Sequence, residues 1–420
     1  MIKFLSVVIL FYSSCISAVL ELKLTQGVDN AIPITILPFV GIEAVKEPES
    51  RITEVISNDL KNSGRFRLVA VEQVKIDFGA LRSKKIEGVL VGKVKALTNS
   101  RVQVTVKLFD VYTKNELFTK EYTVKSSQLR RLAHHISDII YQQFTGDRGI
   151  FSTKIAYVLV KRRGNQTEYK LQVADSDGYN PRTLLESSFP LMSPAWSPDG
   201  KKIAYVSFEG NRAAIYAQDL ATGKRQLVSK SPGINGAPAW SPDGKKMALV
   251  LTQTGYPKIY ILDLATQHLE RLTDAWYLDT EPNWAPDGKS LIFTSNRGGG
   301  PQIYRIYFDS KKIERVTFDG PYNARASFTP NGKALIMLHQ AGDMFSIALE
   351  DLQSGYVTIL TQSGLNESPS IAPNGKMVVY GTNHQGKGML AEVAVDGKVK
   401  LLLPAGDGEV QEPAWSPFIN

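Results

Sequence analysis

The sequence predicts a small N-terminal α/β domain followed by an all-β six-bladed β-propeller, closed by pairing of its N- and C-terminal strands. Three observations carry that prediction: a motif that returns at constant spacing, a mismatch between how the repeats start and stop, and a change of character ahead of them. Aligned on the aromatic of "PAW", the copies centre on Trp196, Trp240, Trp284, Phe328, Ile371 and Trp415, spaced by 44, 44, 44, 43 and 44 residues. Self-similarity at such a period marks a repeat architecture. Each copy runs from "PAWSPDG", a short apolar piece ending in a Pro-Asp-Gly turn, into a β-branched and aromatic run such as "KKIAYVS". A Gly-rich loop, a third strand such as "IYILDLATQH" and a fourth such as "ERLTD" complete it. Four strands in about 44 residues is the size of one propeller blade. Helical-pair repeats would need 3.6-residue periodicity, which these segments lack.

The ends are offset by one strand. The first-strand motif occurs six times, and so does the second-strand motif, aligned on Ile155, Ile203, Met247, Leu291, Leu335 and Val378. "KIAYV" at 154–158 has no PAW before it, and "PAWSP" at 413–417 has no second strand after it. A ring resolves this if the C-terminal piece supplies the innermost strand of the blade begun at 154. Closure also removes the open sheet edge that an unclosed array would expose to aggregation.

Ahead of the repeats the chain divides into a signal peptide, 1–18, and an α/β domain with a mobile N-terminal segment, 19–147; the propeller takes 148–420. The first residues place Lys3 before the apolar Phe4–Tyr12 and a run of small residues ending at Ala18, the layout of a cleaved export signal. It is too short for a spanning helix. A lipoprotein reading with Cys15 acylated is disfavoured, since Tyr12-Ser13-Ser14 lacks the usual leucine. Cys15 is the only cysteine, so the exported chain is expected to have no disulfide and no thiolate chemistry. No second long apolar stretch exists, so it is also expected to be soluble. "IPITILPFV" and "RFRLVAVE" read as strands around a helix from Glu49 to Lys61; three alternating strands follow, then a helix in "SSQLRRLAHHISDIIYQQF" with Ser126 or Ser127 as its cap. The step from that helix into the first blade is short, so the two domains are expected to touch.

Composition narrows function. With 43% hydrophobic and 21% charged residues the chain is globular, and its net charge of +8 is dispersed rather than clustered, which points to a solvated basic surface and not to nucleic acid. Propeller hydrolases carry a G-x-S-x-G nucleophile turn in an attached domain. Here there is no such motif, and three residues follow Pro417. Among the five histidines, His134 and His135 are adjacent on a helix and point about 100° apart; neither has a His or Cys partner one turn away. Structural or solvent roles are expected for these and for His268, His339 and His384. "DSDG" at 175–178 lacks the later ligands of a calcium loop and reads as a turn. No phosphate-binding motif is present, so neither cofactor nor metal is expected.

Binding is better placed on loops. The loop entering each PAW strand and the loop leaving each second strand open on one face, and the Pro-Asp-Gly turns lie on the other. Variable loops on a rigid ring are where specificity is usually built. Trp196, Trp240, Trp284 and Trp415 belong to the repeat and read as blade packing, whereas Trp276 lies in an entry loop beside Tyr277. That pair is either a protein-interface anchor or a cover over the neighbouring blade. The residues just before the PAW strands, at the channel mouth, are Ser193, Ala237, Glu281, Arg325, Ser368 and Glu412. They include no histidine, and Arg325 disfavours a channel cation near Glu281 and Glu412.

With both halves read, the chain resembles the TolB family of periplasmic propeller proteins of the Tol-Pal system over essentially its whole length. The resemblance rests on "GVDNAIPITILPF", the junction "HISDIIYQQFTGDRGIFSTKIAYV" and "LQVADSDGYNPRTLLESSFPLMSPAWSPDG". It implies a non-enzymatic scaffold, expected to be monomeric, that binds the lipoprotein Pal through the propeller and TolA through the N-terminal segment. Other outer-membrane proteins stay open as further partners. By motif, Ile234, Asn235 and Ala237 in "GINGAP" and Thr280 and Glu281 in "DTEP" are implied to touch Pal, with Trp276 and Tyr277 beside them. Relatives can carry His at the position of Ile234. The TolA segment would include Glu21, Leu22, Lys23, Leu24 and Asp29; an edge strand of the small domain is the other reading of that stretch. The competing function class is an exported propeller enzyme, a lyase or lactonase, with its site at the channel mouth.

Overall fold

A computed structural model describes residues 22–24, 30–41, 52–72, 75–274, 276–362, 365–404 and 406–419, with the backbone alone at 22–24. The expected signal peptide and cleavage site, Glu21 and Asp29 lie outside these residues. The described chain opens with β1 (Leu22–Leu24), then β2 (Ile32–Ile36), α1 (Ile52–Asn62), β3 (Phe66–Leu68), α2 (Phe78–Ser83), β4 (Gly88–Ala96), β5 (Arg101–Asp110), β6 (Glu116–Lys125) and α3 (Leu129–Thr145). β2 to β6 form one mixed sheet in the order β3-β2-β4-β5-β6, with β2 parallel to both of its neighbours.

Alternation decides which faces of this sheet are covered. Val102, Val104, Val106 and Leu108 of β5 are buried on the face that packs against α1 and α3. α1 meets them with Ile52, Val55, Ile56 and Leu60, the spacing of a helical stripe, and Asp59 falls in that same buried stripe. α2, which the sequence reading missed, covers the other face with Leu81. It starts because Asp77 caps the Gly79 and Ala80 amides at 2.9 and 3.1 Å. Neither Ser126 nor Ser127 caps α3; a 3-10 turn over Ser126–Gln128 leads in, with the Gln128 side chain accepting from the Lys125 amide at 3.2 Å. α3 ends on Gly146 in the left-handed conformation, which redirects the chain into the propeller.

Six antiparallel sheets follow as blades I to VI. Blade I is assembled from both ends: Glu409–Trp415 is its innermost strand, pairing with Lys154–Arg163, then Gln166–Asp175 and Arg182–Ser187. In blades II to V the strands run consecutively from innermost to outermost, beginning at Leu191, Asn235, Asp279 and Asn323. Blade VI holds Asn366–Ile371, Met377–His384, Lys387–Ala394 and Val399–Leu402. Its outer edge is extended by β1, Leu22 pairing with Leu401 and Leu24 with Val399. Leu22–Leu24 is thus an edge strand of the propeller and not of the small domain. No helix among the described residues is long and apolar enough to cross a membrane.

The repeated residues explain the ring. The indole nitrogens of Trp196, Trp240 and Trp284 donate to the carbonyls of Ala414, Ala195 and Ala239, at 2.9, 3.2 and 3.0 Å, each reaching the innermost strand of the preceding blade. The first of these crosses the closure. There Trp415 donates to the Thr153 hydroxyl at 2.8 Å and the Lys154 amide to the Ser416 hydroxyl at 2.9 Å. Between blades the apolar faces interlock in separate clusters, such as Ile155, Tyr157 and Leu159 of blade I against Val379 and Leu401 of blade VI.

Candidate functional site

The geometry of the loop face begins with a backbone irregularity repeated six times. The third residue of every innermost strand, or its equivalent, is left-handed: Ser193, Ala237, Glu281, Arg325, Ser368 and Glu412 have φ of 50°, 44°, 54°, 52°, 51° and 52°. Pairing with the second strand shifts register at each of these points, so each is a bulge. A non-glycine residue held so costs roughly 1–2 kcal/mol. Hydrogen bonds across the mouth offset it. The Glu281 carboxylate accepts from the Thr294 hydroxyl at 2.8 Å, the Arg325 amide at 2.9 Å and Arg325 Nε at 3.1 Å. Arg325 also donates to the Ser368 hydroxyl, and the Glu412 carboxylate accepts the Ser193 amide. Burial pushes the Glu412 carboxyl up against the Ser193 bond and Arg325, which pull it down.

Ahead of the bulges sits a second repeated position. Asn235, Asp279, Asn323 and Asn366 begin four successive innermost strands and are all buried. Asn235 donates to the Ser231 and Ala213 carbonyls at 2.8 and 3.2 Å and accepts from the Ser229 hydroxyl at 2.7 Å and the Ser231 amide at 2.9 Å. Its side chain therefore holds the loop and is not offered to solvent. His339 lies 2.8 Å from Asn323 and is buried, and burial lowers its pKa.

What these fixed loops present is apolar. Ile234 is 58% exposed and Trp276 85%, with Tyr277, Leu278 and Tyr256 also exposed. Trp276 meets Tyr256 edge-on, centroids 6.1 Å apart, so it stands on the surface and does not cover a neighbouring blade. The patch rests on a rigid base. The Ile234 amide donates to Thr252 at 2.7 Å and the Leu278 amide to Asn296 at 2.8 Å. Buried Lys258 donates to the Tyr277 carbonyl, and Arg297 pairs with Asp279 at 2.8 Å while lying 5.5 Å from the Tyr277 ring. Gly233, at φ 81°, is required here because a Cβ would collide with Thr252. Thr280 and Ala237 are half-buried beside it. Phe318, Met344 and Leu365 are further exposed apolar residues on the loops of blades IV to VI.

The small domain docks on the opposite face. The "DSDG" turn carries Asp175 and Asp177 against α3, where Arg130 Nε lies 2.9 Å from Asp175 and its Nη2 pairs with Asp177. His134, given only a structural role by sequence, is buried with Nδ1 2.9 Å from Asp59, and its Nε2 faces Asp175 and Asp177 at 3.8 and 3.9 Å. Burial alone would lower the His134 pKa, but the Asp59 carboxylate outweighs it and the net direction is up. Ligating atoms of Asp59, His134 and Asp177 lie within 4.8 Å of one another, but Asp59 already pairs with His134 and Asp177 with Arg130, so the cluster is an ion-pair latch. Around it Asn374 donates to the Arg148 carbonyl at 3.1 Å and Lys376 pairs with Asp147 at 3.1 Å. No spacing rule predicts this cluster, because its members come from α1, α3 and a blade turn.

A ring with one face capped by its own second domain and the other left open, bearing an exposed aromatic patch on its loops, defines a two-domain propeller of the scaffold kind. Residues 141–419 match the family model for the TolB beta propeller domain, and residues 20–117 that for the TolB amino-terminal domain. The chain belongs to the TolB family, a non-enzymatic component of the Tol-Pal system. It is 61% identical over 430 residues to the Tol-Pal system protein TolB of Coxiella burnetii (strain RSA 493 / Nine Mile phase I), covering 100% of this chain and 98% of the relative. It is 57% identical over 422 residues to that of Legionella pneumophila (strain Corby), covering 100% and 99%. The crystal structure of TolB from Acinetobacter baumannii superposes with a TM-score of 0.87 at 41% identity, covering 95% of this chain and 100% of that one.

Proposed function

We propose that the chain is a periplasmic scaffold that binds the lipoprotein Pal on its propeller loop face and TolA through its N-terminal segment, and so supports outer-membrane integrity and constriction during division. The observation that carries the Pal half is the exposed patch of Ile234, Trp276 and Tyr277 on loops pinned from beneath, on the face that the small domain leaves open. Ala237, Thr280 and Glu281 flank it as contacts, and Asn235 contributes by holding its loop. An exposed tryptophan on a fixed base binds without losing much side-chain freedom, which is what makes such residues interface anchors. The TolA half rests on family membership and on the segment that includes Leu22, Lys23 and Leu24, with Glu21 and Asp29 at its ends.

The test is recovery of partners from a periplasmic extract with wild type and with Trp276→Ala and Glu281→Arg. Loss of a bound lipoprotein supports the reading; unaltered recovery with both variants overturns it. Because Glu281 also holds Arg325, the melting temperature of that variant is measured alongside. A hot-spot tryptophan contributes roughly 2 kcal/mol or more, so Trp276→Ala should weaken binding by about thirtyfold. Deleting residues 19–30 should abolish TolA binding and leave Pal binding intact; unchanged TolA affinity would remove the segment from the proposal.

A further inference from the structure

We propose that the seam between the two domains is a binding site for a small molecule carrying one ammonium group on a compact apolar body. The seam encloses a cavity of about 260 Å³, walled by Asp59 and Tyr141 from the small domain and by Asp177, Glu392, Leu401 and Trp415 from the propeller. Its buried part presents carboxyl groups and apolar surface, while the basic residues that reach it, Arg65, Lys376 and Lys398, are solvent-exposed. Glu392 is 6% exposed, and its Oε1 has no hydrogen-bond partner. Buried polar atoms are almost always partnered, so an unpartnered carboxyl in a cavity wall marks a place for a donor.

The chemistry of that donor follows from the walls. Anions would meet Asp59, Asp177 and Glu392. A neutral hydroxyl offers one proton, whereas an ammonium brings three donors and a charge that Glu392 complements once ionised, Asp59 and Asp177 being paired already with His134 and Arg130. Leu401 and Trp415 then call for an apolar body behind the cationic head.

Protonation deepens the prediction. Burial, with Asp177 adding to it, holds the Glu392 carboxyl well above its ordinary range, so the empty site favours the neutral form. An ammonium guest favours the ionised form, so its arrival releases a proton and affinity rises with pH until Glu392 is ionised without it. Asp59, Asp177 and Tyr141 share the wall, His134 and Arg130 lie behind the aspartates, and Lys398 lies at the opening.

Titration calorimetry of the full exported chain with benzylamine, and with benzyl alcohol as its neutral counterpart, tests this directly. Benzylamine should bind about tenfold tighter than the alcohol, the value of one unit of differential protonation energy. Glu392→Gln should remove that advantage and leave the alcohol within about twofold, because the amide keeps the shape and loses the charge. Ala394→Leu, which fills the cavity and leaves every carboxyl in the sequence unchanged, should weaken both ligands. Equal affinities on wild type, an unchanged benzylamine affinity in a folded Glu392→Gln, or no saturable binding below about 10 mM would each overturn the proposal. If Glu392→Gln fails to fold, the amine-against-alcohol comparison on wild type still decides.

Discussion

At Trp240 one indole fills the seam between blades and also donates to the Ala195 carbonyl of the blade before. Trp240→Phe keeps most of the apolar body and deletes the bond, so it should cost about 1 kcal/mol, read from urea unfolding with wild type as reference. Trp276 lacks this inward partnership and should behave oppositely: its truncation should leave stability unchanged within roughly 0.5 kcal/mol while weakening partner binding. His134 is a third kind of residue, a buried base among aspartates. Since its folded pKa lies above the unfolded value of about 6.5, its stabilisation is complete below that pH and fades as pH rises through the folded value. The melting-temperature gap between wild type and His134→Gln should therefore be wide near pH 6 and narrow near pH 9. A gap that widens with pH would reverse the assignment of charge.

Among elements, the C-terminal strand matters most to the ring. Glu409–Trp415 pairs with the strand beginning at Lys154, and Trp196 of the next blade donates to Ala414, so this strand joins blades I and II as well as the two ends of the chain. Removing residues 413–420 takes away Trp415, the Ser416 bonds and the Ala414 carbonyl together. We expect a fall in stability of several kcal/mol, seen as loss of the cooperative thermal transition, because Ala156 and Ile155 lose their strand partners and the closure bonds go with them. A change of about a degree would mean that the segment is a passive tail. The bulges act at the same scale: each sets the exit angle of one innermost strand, and together they bring Glu281, Arg325 and Ser368 from three blades into one network.

For the molecule as a whole, the latch fixes which propeller face is free. Arg130 spans Asp175 and Asp177 across the domain boundary, and its guanidinium lies over the Tyr179 ring, 5.0 Å from the centroid. Arg130→Met should cost roughly 2 kcal/mol, between the values of exposed and buried pairs. Hydrogen exchange should then rise in residues 146–153 while the outer blades keep their protection. Exchange unchanged there would show that apolar contact alone holds the domains.

The sequence by itself determined the ring. A 44-residue period, the PAW tryptophans and the one-strand offset specified six blades and their closure, since strand periodicity and turn chemistry are local and repeat with the chain. It also singled out Trp276 as the tryptophan outside the repeat and the six residues at the channel mouth. Tertiary structure decided the rest. That Asn235 faces inward depends on bonds to the Ser231 and Ala213 carbonyls, which an entry-loop motif does not reveal. That β1 joins blade VI depends on a partner about 375 residues away, and edge pairing by backbone groups leaves almost no side-chain signature. The latch of Asp59, His134, Arg130, Asp175 and Asp177, and the orphaned Glu392 beside it, arise where two separately folded surfaces meet. Charge and burial at such a seam come from docking in three dimensions, and no period along the chain encodes them.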